Sequence, residues 1–235
     1  MSLFALGDTH LSLGTDKPMD VFCGWSDYVE RLKKNWNAVV SDKDTVLLAG
    51  DISWAMKLDE CYEDFNFINS LNGEKIIIKG NHDYWWNTMK KMNEYLADNH
   101  FDSIKILYNN AYRVGDISVC GTRGWFFDAE SDTDKKTVLR EAQRLRTSIE
   151  AGLELGGEPV VFYLVFFLHS PPISVSEKCE EIYSVLLEYK IKRCYFGHLH
   201  AQRTAQYASF ESDSIKFGLI SADFLSFCPK LIEKF

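Results

Sequence analysis

Seven side chains of this chain could act together on a metal: Asp8, His10, Asp51, Asn81, His169, His198 and His200. They stand in short blocks, GDTH, GDIS, GNHD and GHLH, with His169 alone at the end of a further apolar run. Of the six histidines, five fall in these places (His10, His82, His169, His198, His200) and His100 lies apart. One such histidine reads equally well as a hydrogen-bonded core residue. Five beside Asp, Asn or Gly read as convergent polar groups of a site. Four imidazoles, two carboxylates and an amide oxygen are too many donors for one tetrahedral ion. They suit two divalent ions sharing a carboxylate, and a nitrogen and oxygen set without thiolate suits Mn, Fe, Zn or Co. Two ions about 3.5–4 Å apart can make hydroxide from water near neutral pH and neutralise phosphate oxygens, which is phosphoryl-transfer chemistry.

The elements that must position these groups are legible as apolar runs. Phe4-Ala5-Leu6, Val46-Leu47-Leu48-Ala49, Ile76-Ile77-Ile78 and Cys194-Tyr195-Phe196 each lead to a glycine and then to a block. Such runs read as buried strands, and ligand sites of open α/β sheets lie at the carboxyl ends of strands. Gly7, Gly50, Gly80 and Gly197 would allow the turn after each strand. In Asp8/His10 and His198/His200 the two side chains, two residues apart on extended chain, point the same way.

Helical spacing predicts helices near residues 26–40, with Ser26 as N-cap, and near 58–71, 86–96, 132–155 and 175–189. The first 80 residues therefore read βαβαβ, a parallel right-handed arrangement. Residues 104–120 read as a meander, residues 160–168 as a strand buried on both faces, and the tail as short strands near 204–210, 216–221 and 231–232. The helix over 132–155 carries an apolar stripe of Val138, Ala142, Leu145, Ile149 and Leu153. The organisation expected is one domain over residues 1–235, with a lid-like insertion around 124–157.

Three further features bear on catalysis. His82 follows Asn81, so if Asn81 faces a metal its neighbour projects towards the substrate, and Asp83 could orient the imidazole. Arg123, between Gly121 and Trp125, either forks onto a phosphate or sits exposed on a turn. Trp54, Trp85 and Trp86 follow the second and third blocks, where core or rim packing is a better reading than a wall for substrate. Asp223 reads as a turn residue with no chemical part.

A net charge of −8 over 235 residues lacks the basic field of a general polyanion binder, which argues against nucleic acid. The six cysteines are dispersed without CxxC spacing and read as buried thiols of a reducing compartment. With no leader-like start and no apolar run long enough for a bilayer, the expectation is a cytoplasmic protein without a membrane partner. The oligomeric state is left open.

Taken in order, GDTH, GDIS, GNHD, the lone His169 and GHLH resemble the calcineurin-like metallophosphoesterase superfamily, over residues 3 to about 200. The resemblance implies a four-layer α/β/β/α sandwich of two mixed sheets flanked by helices. It implies two divalent cofactor ions (Mn, Fe or Zn): Asp8, His10, Asp51 and His200 on one, Asp51, Asn81, His169 and His198 on the other, with Asp51 bridging. A metal-bridging hydroxide would attack phosphorus of a small phosphorylated mono- or diester held by Asn81, His82 and Arg123, and His82 would assist the leaving group. Two alternatives stand beside it: a phosphodiesterase for cyclic nucleotides or other small molecules, and a non-catalytic binding scaffold.

Overall fold

The computed structural model describes residues 1–124, 132–165, 179–200 and 208–235, the side chains of 132–134 and 164–165 excepted. Its first sheet holds β1 (Ser2–Leu6), β2 (Thr45–Leu48), β3 (Glu74–Ile77), β4 (Ile104–Ile106) and β11 (Lys230–Lys234), in the order β11-β1-β2-β3-β4. The first four are mutually parallel, as the βαβαβ pattern predicts, and β11 closes the edge antiparallel to β1. The second sheet runs β5-β6-β7-β8-β10-β9, with β5 (Tyr112–Val114), β6 (Ile117–Gly124), β7 (Glu158–Val165), β8 (Arg193–Phe196), β9 (Ser209–Ser212) and β10 (Ile215–Leu219). Its four inner strands are parallel and its edges antiparallel.

Five α-helices lie among the described residues: α1 (Tyr28–Val39), α2 (Tyr62–Ser70), α3 (Met89–Asp98), α4 (Asp132–Glu154) and α5 (Glu180–Glu188). Strand side chains alternate between faces, and the alternation builds the layers. Leu3, Ala5, Leu47, Ala49, Ile76 and Ile78 face the second sheet through Val119, Val160, Phe162 and Ile220. Phe4, Leu6, Val46, Leu48 and Ile77 face the other way, onto Leu32 and Trp36 of α1, Phe65 and Ile68 of α2 and Met92 of α3. Cys120, Val161, Tyr163, Cys194 and Phe196 pack outward on α4 and α5. The result is the α/β/β/α order that the resemblance implies.

Several local expectations shift. The meander over 104–120 is divided: β4 joins the first sheet, and β5 and β6 open the second as a hairpin. Asn110 makes the break, its side chain accepting from the Tyr108 N–H at 2.7 Å and donating to the Ile106 carbonyl at 3.3 Å. Helix α1 starts after Asp27, which takes a left-handed φ of 51°, and not from Ser26. Helix α3 starts later than expected, from Thr88, whose hydroxyl accepts from the Lys91 N–H. A 3-10 turn over Leu58–Cys61 precedes α2.

Most of the region expected as a lid-like insertion is α4, whose apolar face packs on the second sheet, and residues 125–131 lie outside the described residues. Val138, Ala142, Leu145 and Ile149 are buried against the second sheet, while Leu153 is exposed. Gly152 lets the helix approach β6 so closely that a Cβ there would lie 2.5 Å from the Cys120 sulfur. Residues 166–178 and 201–207, which include parts of three expected elements, lie outside the described residues. All six cysteines are free thiols; Cys61, Cys120, Cys179 and Cys194 are buried and Cys23 is exposed. Among the described residues no helix is long and apolar enough to cross a membrane.

Candidate metal centre

The blocks meet at the carboxyl ends of β1, β2, β3 and β8, and backbone hydrogen bonds lace them together. Asp8 N–H donates to the Gly50 carbonyl at 3.0 Å, His10 N–H to the Asp51 carbonyl at 2.9 Å, and Gly7 N–H to the Ile220 carbonyl at 2.7 Å. The strain of turning falls on the polar residues: φ is 58° at Asp8, 44° at His10, 47° at Asp51 and 70° at His198. Non-glycine residues seldom hold this conformation, and it gathers at functional sites. Of the four block glycines only Gly50 shares it, at 87°. Gly80 serves a different need, since a Cβ there would collide with Asp51 Oδ1.

Asp8, His10 and His200 present one donor atom each, all within 4.8 Å of one another. His10 Nε2 and His200 Nε2 are 3.2 Å apart, close to the roughly 3–3.4 Å between two nitrogens that each lie about 2.1 Å from one ion. Asp8 accepts from the His198 N–H with both oxygens, at 3.0 and 2.9 Å. Asp51 accepts from the His82 N–H with Oδ1 at 2.8 Å. Asp51 Oδ2 and Asn81 Oδ1 are buried and have no hydrogen-bond partner among the described residues. Buried oxygens are ordinarily satisfied, so two orphaned acceptors beside a cluster of imidazoles fit a cation. Asp8, His10, Asp51, Asn81, His198 and His200 therefore suit the expected metals, and His169 lies outside the described residues.

The electrostatics agree. Burial raises the Asp8 carboxyl to about 6. Burial, then the Asp83 and Asp8 charges, raise Asp51 to about 9. Burial, then His200 and His82, lower His198 to about 4, and burial followed by His200 lowers His10 well below its usual value. Burial also pulls down His200, but its hydrogen bond to Asp223 and the Asp8, Asp223 and Asp51 charges reverse this, to about 9. Asp8 and Asp51 resist ionising beside His10 and His198, which resist protonation, and His200 alone among these imidazoles favours its proton.

His82 is part-buried beside this cluster, its ring 4.9 Å from Trp54 and 6.0 Å from His10. Burial, then His200, lower its pKa. With His10, Asp51, His198 and His200 it lines a cavity of about 380 Å³, walled by Met19, Phe22, Trp25 and Trp54. Trp54 stacks on His10 at 4.9 Å, a rim position, whereas Trp85 is a core residue.

Three residues stand differently from expectation. The Asp83 carboxylate does not meet the His82 ring. It is fully buried and accepts from the Gly80 N–H at 2.6 Å, the Ile52 N–H at 2.8 Å and the Trp85 indole at 3.1 Å, with the Ser53 N–H more distant. Its lone pairs are engaged in tying the GNHD turn to the GDIS turn. Arg123 is neither exposed nor among the metal-facing groups; it lies in a neighbouring cleft beside Glu141, 3.8 Å away. Asp223 is a site residue that sequence reasoning missed, 3.1 Å from His200 Nδ1. With the proton on Nδ1 the ring donates to Asp223 and leaves Nε2 for a metal. A signal was there: Asp223 follows the apolar run over residues 217–220 much as the other blocks follow theirs.

Comparison with known proteins gives the same picture. The family model described as calcineurin-like phosphoesterase matches residues 1–202. An uncharacterized protein of Methanocaldococcus jannaschii, MJ1445, is 31% identical over 86 residues, which is 34% of this chain and 46% of that relative. The chain thus matches about half the length of that curated relative. Among solved structures, the protein TT1561 of Thermus thermophilus superposes with a TM-score of 0.60 at 11% identity, over 98% of this chain and 97% of that one. The phosphopantetheinyl hydrolase PptH of Mycobacterium tuberculosis superposes with a TM-score of 0.55 at 15% identity, over 98% and 95%. At such identities these structures share the fold.

Proposed function

Because the chain belongs to the calcineurin-like phosphoesterase family, we propose that it is a metal-dependent phosphoester hydrolase with a dinuclear centre. One observation carries the reading: Asp51 Oδ2 and Asn81 Oδ1 are buried without a hydrogen-bond partner among the described residues, in blocks that follow β2 and β3, the next two strands in the sheet after β1, which leads to Asp8 and His10 of the Asp8, His10 and His200 cluster. Asp8, His10, Asp51 and His200 would hold one divalent ion, and Asp51, Asn81, His198 and His169 the other. Bound there, the ions would supply an activated water and shield the charge of phosphate oxygens.

The chain's own residues supply the rest. His82 reaches the cavity with a lowered pKa and acts on the leaving alcohol, holding or giving a proton at its ring nitrogen. Asp83 positions it indirectly, by fixing the turn on which it stands. Trp54 and Trp25 exclude water from one side of the cavity.

The test is metal analysis together with turnover of p-nitrophenyl phosphate and bis-(p-nitrophenyl) phosphate, which also separates monoester from diester preference. His82→Ala should keep its metal content and lose roughly 10²–10⁴-fold in turnover. Full activity in that variant would remove His82 from the chemistry, and a metal-loaded protein inert on every phosphoester would favour the binding scaffold.

A further inference from the structure

A second cleft, of about 300 Å³, opens beside the GNHD turn and is lined by Lys79, Trp86, Tyr108, Arg123, Glu141 and Arg144 among others. That volume is at the lower end for small-molecule pockets. The cleft is built from the inside. Glu141 is 1% exposed; one oxygen accepts from the Thr122 hydroxyl, and the other takes Arg144 Nη1 at 2.5 Å and lies 3.8 Å from Arg123 Nη2. A carboxylate buried so deeply must be paired, and here it anchors two guanidinium groups at one wall. Arg144 also lies over the Tyr108 ring at 5.2 Å, and the Trp86 ring is 6.4 Å from Tyr108.

Among the described residues, three basic side chains and one carboxylate line the cleft. Lys79, Arg123 and Arg144 stand there with Glu141, in a chain whose net charge is −8. Lys79 is the clearest case. Among the described residues no carboxylate lies within 4.0 Å of its ammonium and no acceptor takes a hydrogen bond from it, although the residue is part-buried. Lys75, four residues earlier on β3, shows the usual solution: its ammonium bonds the Leu71 carbonyl, the Ser103 hydroxyl at 3.2 Å and the Asn69 carbonyl at 3.4 Å. Thr88 and Met89, at the start of α3, line the same cleft and add the positive end of a helix dipole. Lys79 stands two residues before Asn81, so the cleft and the metal-facing amide lie within about 7 Å along the backbone.

We propose that this cleft binds a second anionic group, a phosphate or carboxylate, of the substrate whose scissile phosphate occupies the metal centre. The substrate class is then a phosphoester carrying two anionic ends. The identification as substrate rests on the phosphoesterase reading above, while anion binding in the cleft does not.

Two measurements separate these parts. EDTA-washed protein is titrated with inorganic pyrophosphate by calorimetry, with tryptophan fluorescence reporting Trp86. Lys79→Met and, separately, Arg144→Gln should each weaken binding about tenfold, in line with the loss of one charge-assisted contact. No binding by the parent, or equal binding by both variants, overturns the cleft. Metal-loaded protein is then given α,ω-alkanediol bisphosphates and alkyl monophosphates of equal length. A preference in kcat/KM for the bisphosphates of about tenfold or more, reduced in Arg144→Gln, supports the proposal. Binding without preference makes the cleft a site for a free anion and overturns the substrate class. Binding with no hydrolysis of either series overturns the phosphoesterase reading and leaves only the anion site.

Discussion

Two pockets flank the GNHD turn, and their unmet needs are opposite in sign. In the cavity on one side, acceptors outnumber donors: Asp51 Oδ2 and Asn81 Oδ1 are buried without a partner among the described residues, and burial first of all keeps the nearby carboxylates from ionising readily. In the cleft on the other side the want is of an acceptor: Lys79 has none among the described residues, while Arg144 pairs with Glu141. An unsatisfied buried acceptor is costly, so the orphaned oxygens fit a cation, and the unpaired ammonium at the cleft suits an anion. The walls differ in the same sense. Met19, Phe22, Trp25 and Trp54 enclose the metal cavity, while Lys79, Asn87, Asn109, Arg123, Glu141 and Arg144 give the cleft a larger share of charged and amide groups. Between them stands Asp83, whose carboxylate collects the Gly80, Ile52 and Ser53 N–H groups and the Trp85 indole. It holds the shared partition in one conformation.

The strongest way to break this contrast is to remove the group on which the cation side depends. Asp51 is the carboxylate expected to serve both ions, and its Oδ2 is the buried orphan. Asp51→Asn replaces one oxygen with a donor that no metal accepts. Bound metal, measured by mass spectrometry after dialysis, should fall at both positions, and turnover should drop roughly a thousandfold or more. Pyrophosphate binding in the cleft should survive, because its cations belong to other elements. Loss of both properties together would show that the two pockets are one site. Two ions retained at full strength would contradict the bridge.

A smaller effect separates a metal ligand from the residue behind it. Asp223 touches His200 Nδ1 at 3.1 Å and is not itself among the clustered donors Asp8, His10 and His200. Outer partners of this kind orient the imidazole, and their loss typically costs about 10–100-fold in metal affinity. Asp223→Ala should fall in that range by competition with a chelator, with turnover restored at saturating metal. Turnover that stays low at saturating metal would mean that Asp223 acts in the chemistry and not through His200.

Much of the cation side was legible in the sequence, and almost none of the anion side. Asp8, His10, Asp51, Asn81, His198 and His200 each follow a strand end directly, so local order along the chain and place in space coincide. The parallel first sheet and the stripe of α4 were legible for the same reason, because periodicity reports burial. The cleft takes Lys79 from the end of β3, Arg123 from β6 and Arg144 from α4, and only the packing of α4 on β6 brings them together. Arg123 alone could be read as a phosphate fork or an exposed turn; Glu141, which decides between them, was one acidic residue in a charged helix. Adjacency in sequence suggests His82 as the partner of Asp83, whereas its donors are the Gly80 N–H, the Trp85 indole and two N–H groups of the GDIS turn. The division of residues 104–120 between two sheets depended on a single side chain, Asn110.

The last contrast lies between β3 and the turn that follows it, and sets the smallest effect. Lys75 is fully buried, and burial lowers its pKa to about 8. The unfolded chain would hold that proton to about pH 10.4. Between these values the unfolded state binds more protons than the folded one, so stability rises with pH across that window. Lys75→Met removes the titration and keeps a stem of similar length. Measured from pH 7 to 9.5, the melting temperature of the parent should gain on that of the variant by a few degrees, on the order of 1–2 kcal/mol for a chain of this size. The sign matters more than the size. A gap that stays constant with pH would mean that the acceptors from Leu71, Asn69 and Ser103 stabilise the ammonium as well as water does. Lys75 would then be a poor reference for Lys79, and the missing partner of Lys79 a weaker sign of an anion. A gap that widens as pH rises shows that even a lysine given three acceptors is held at a cost, so one left with none beside two arginines has a stronger need for an incoming negative charge.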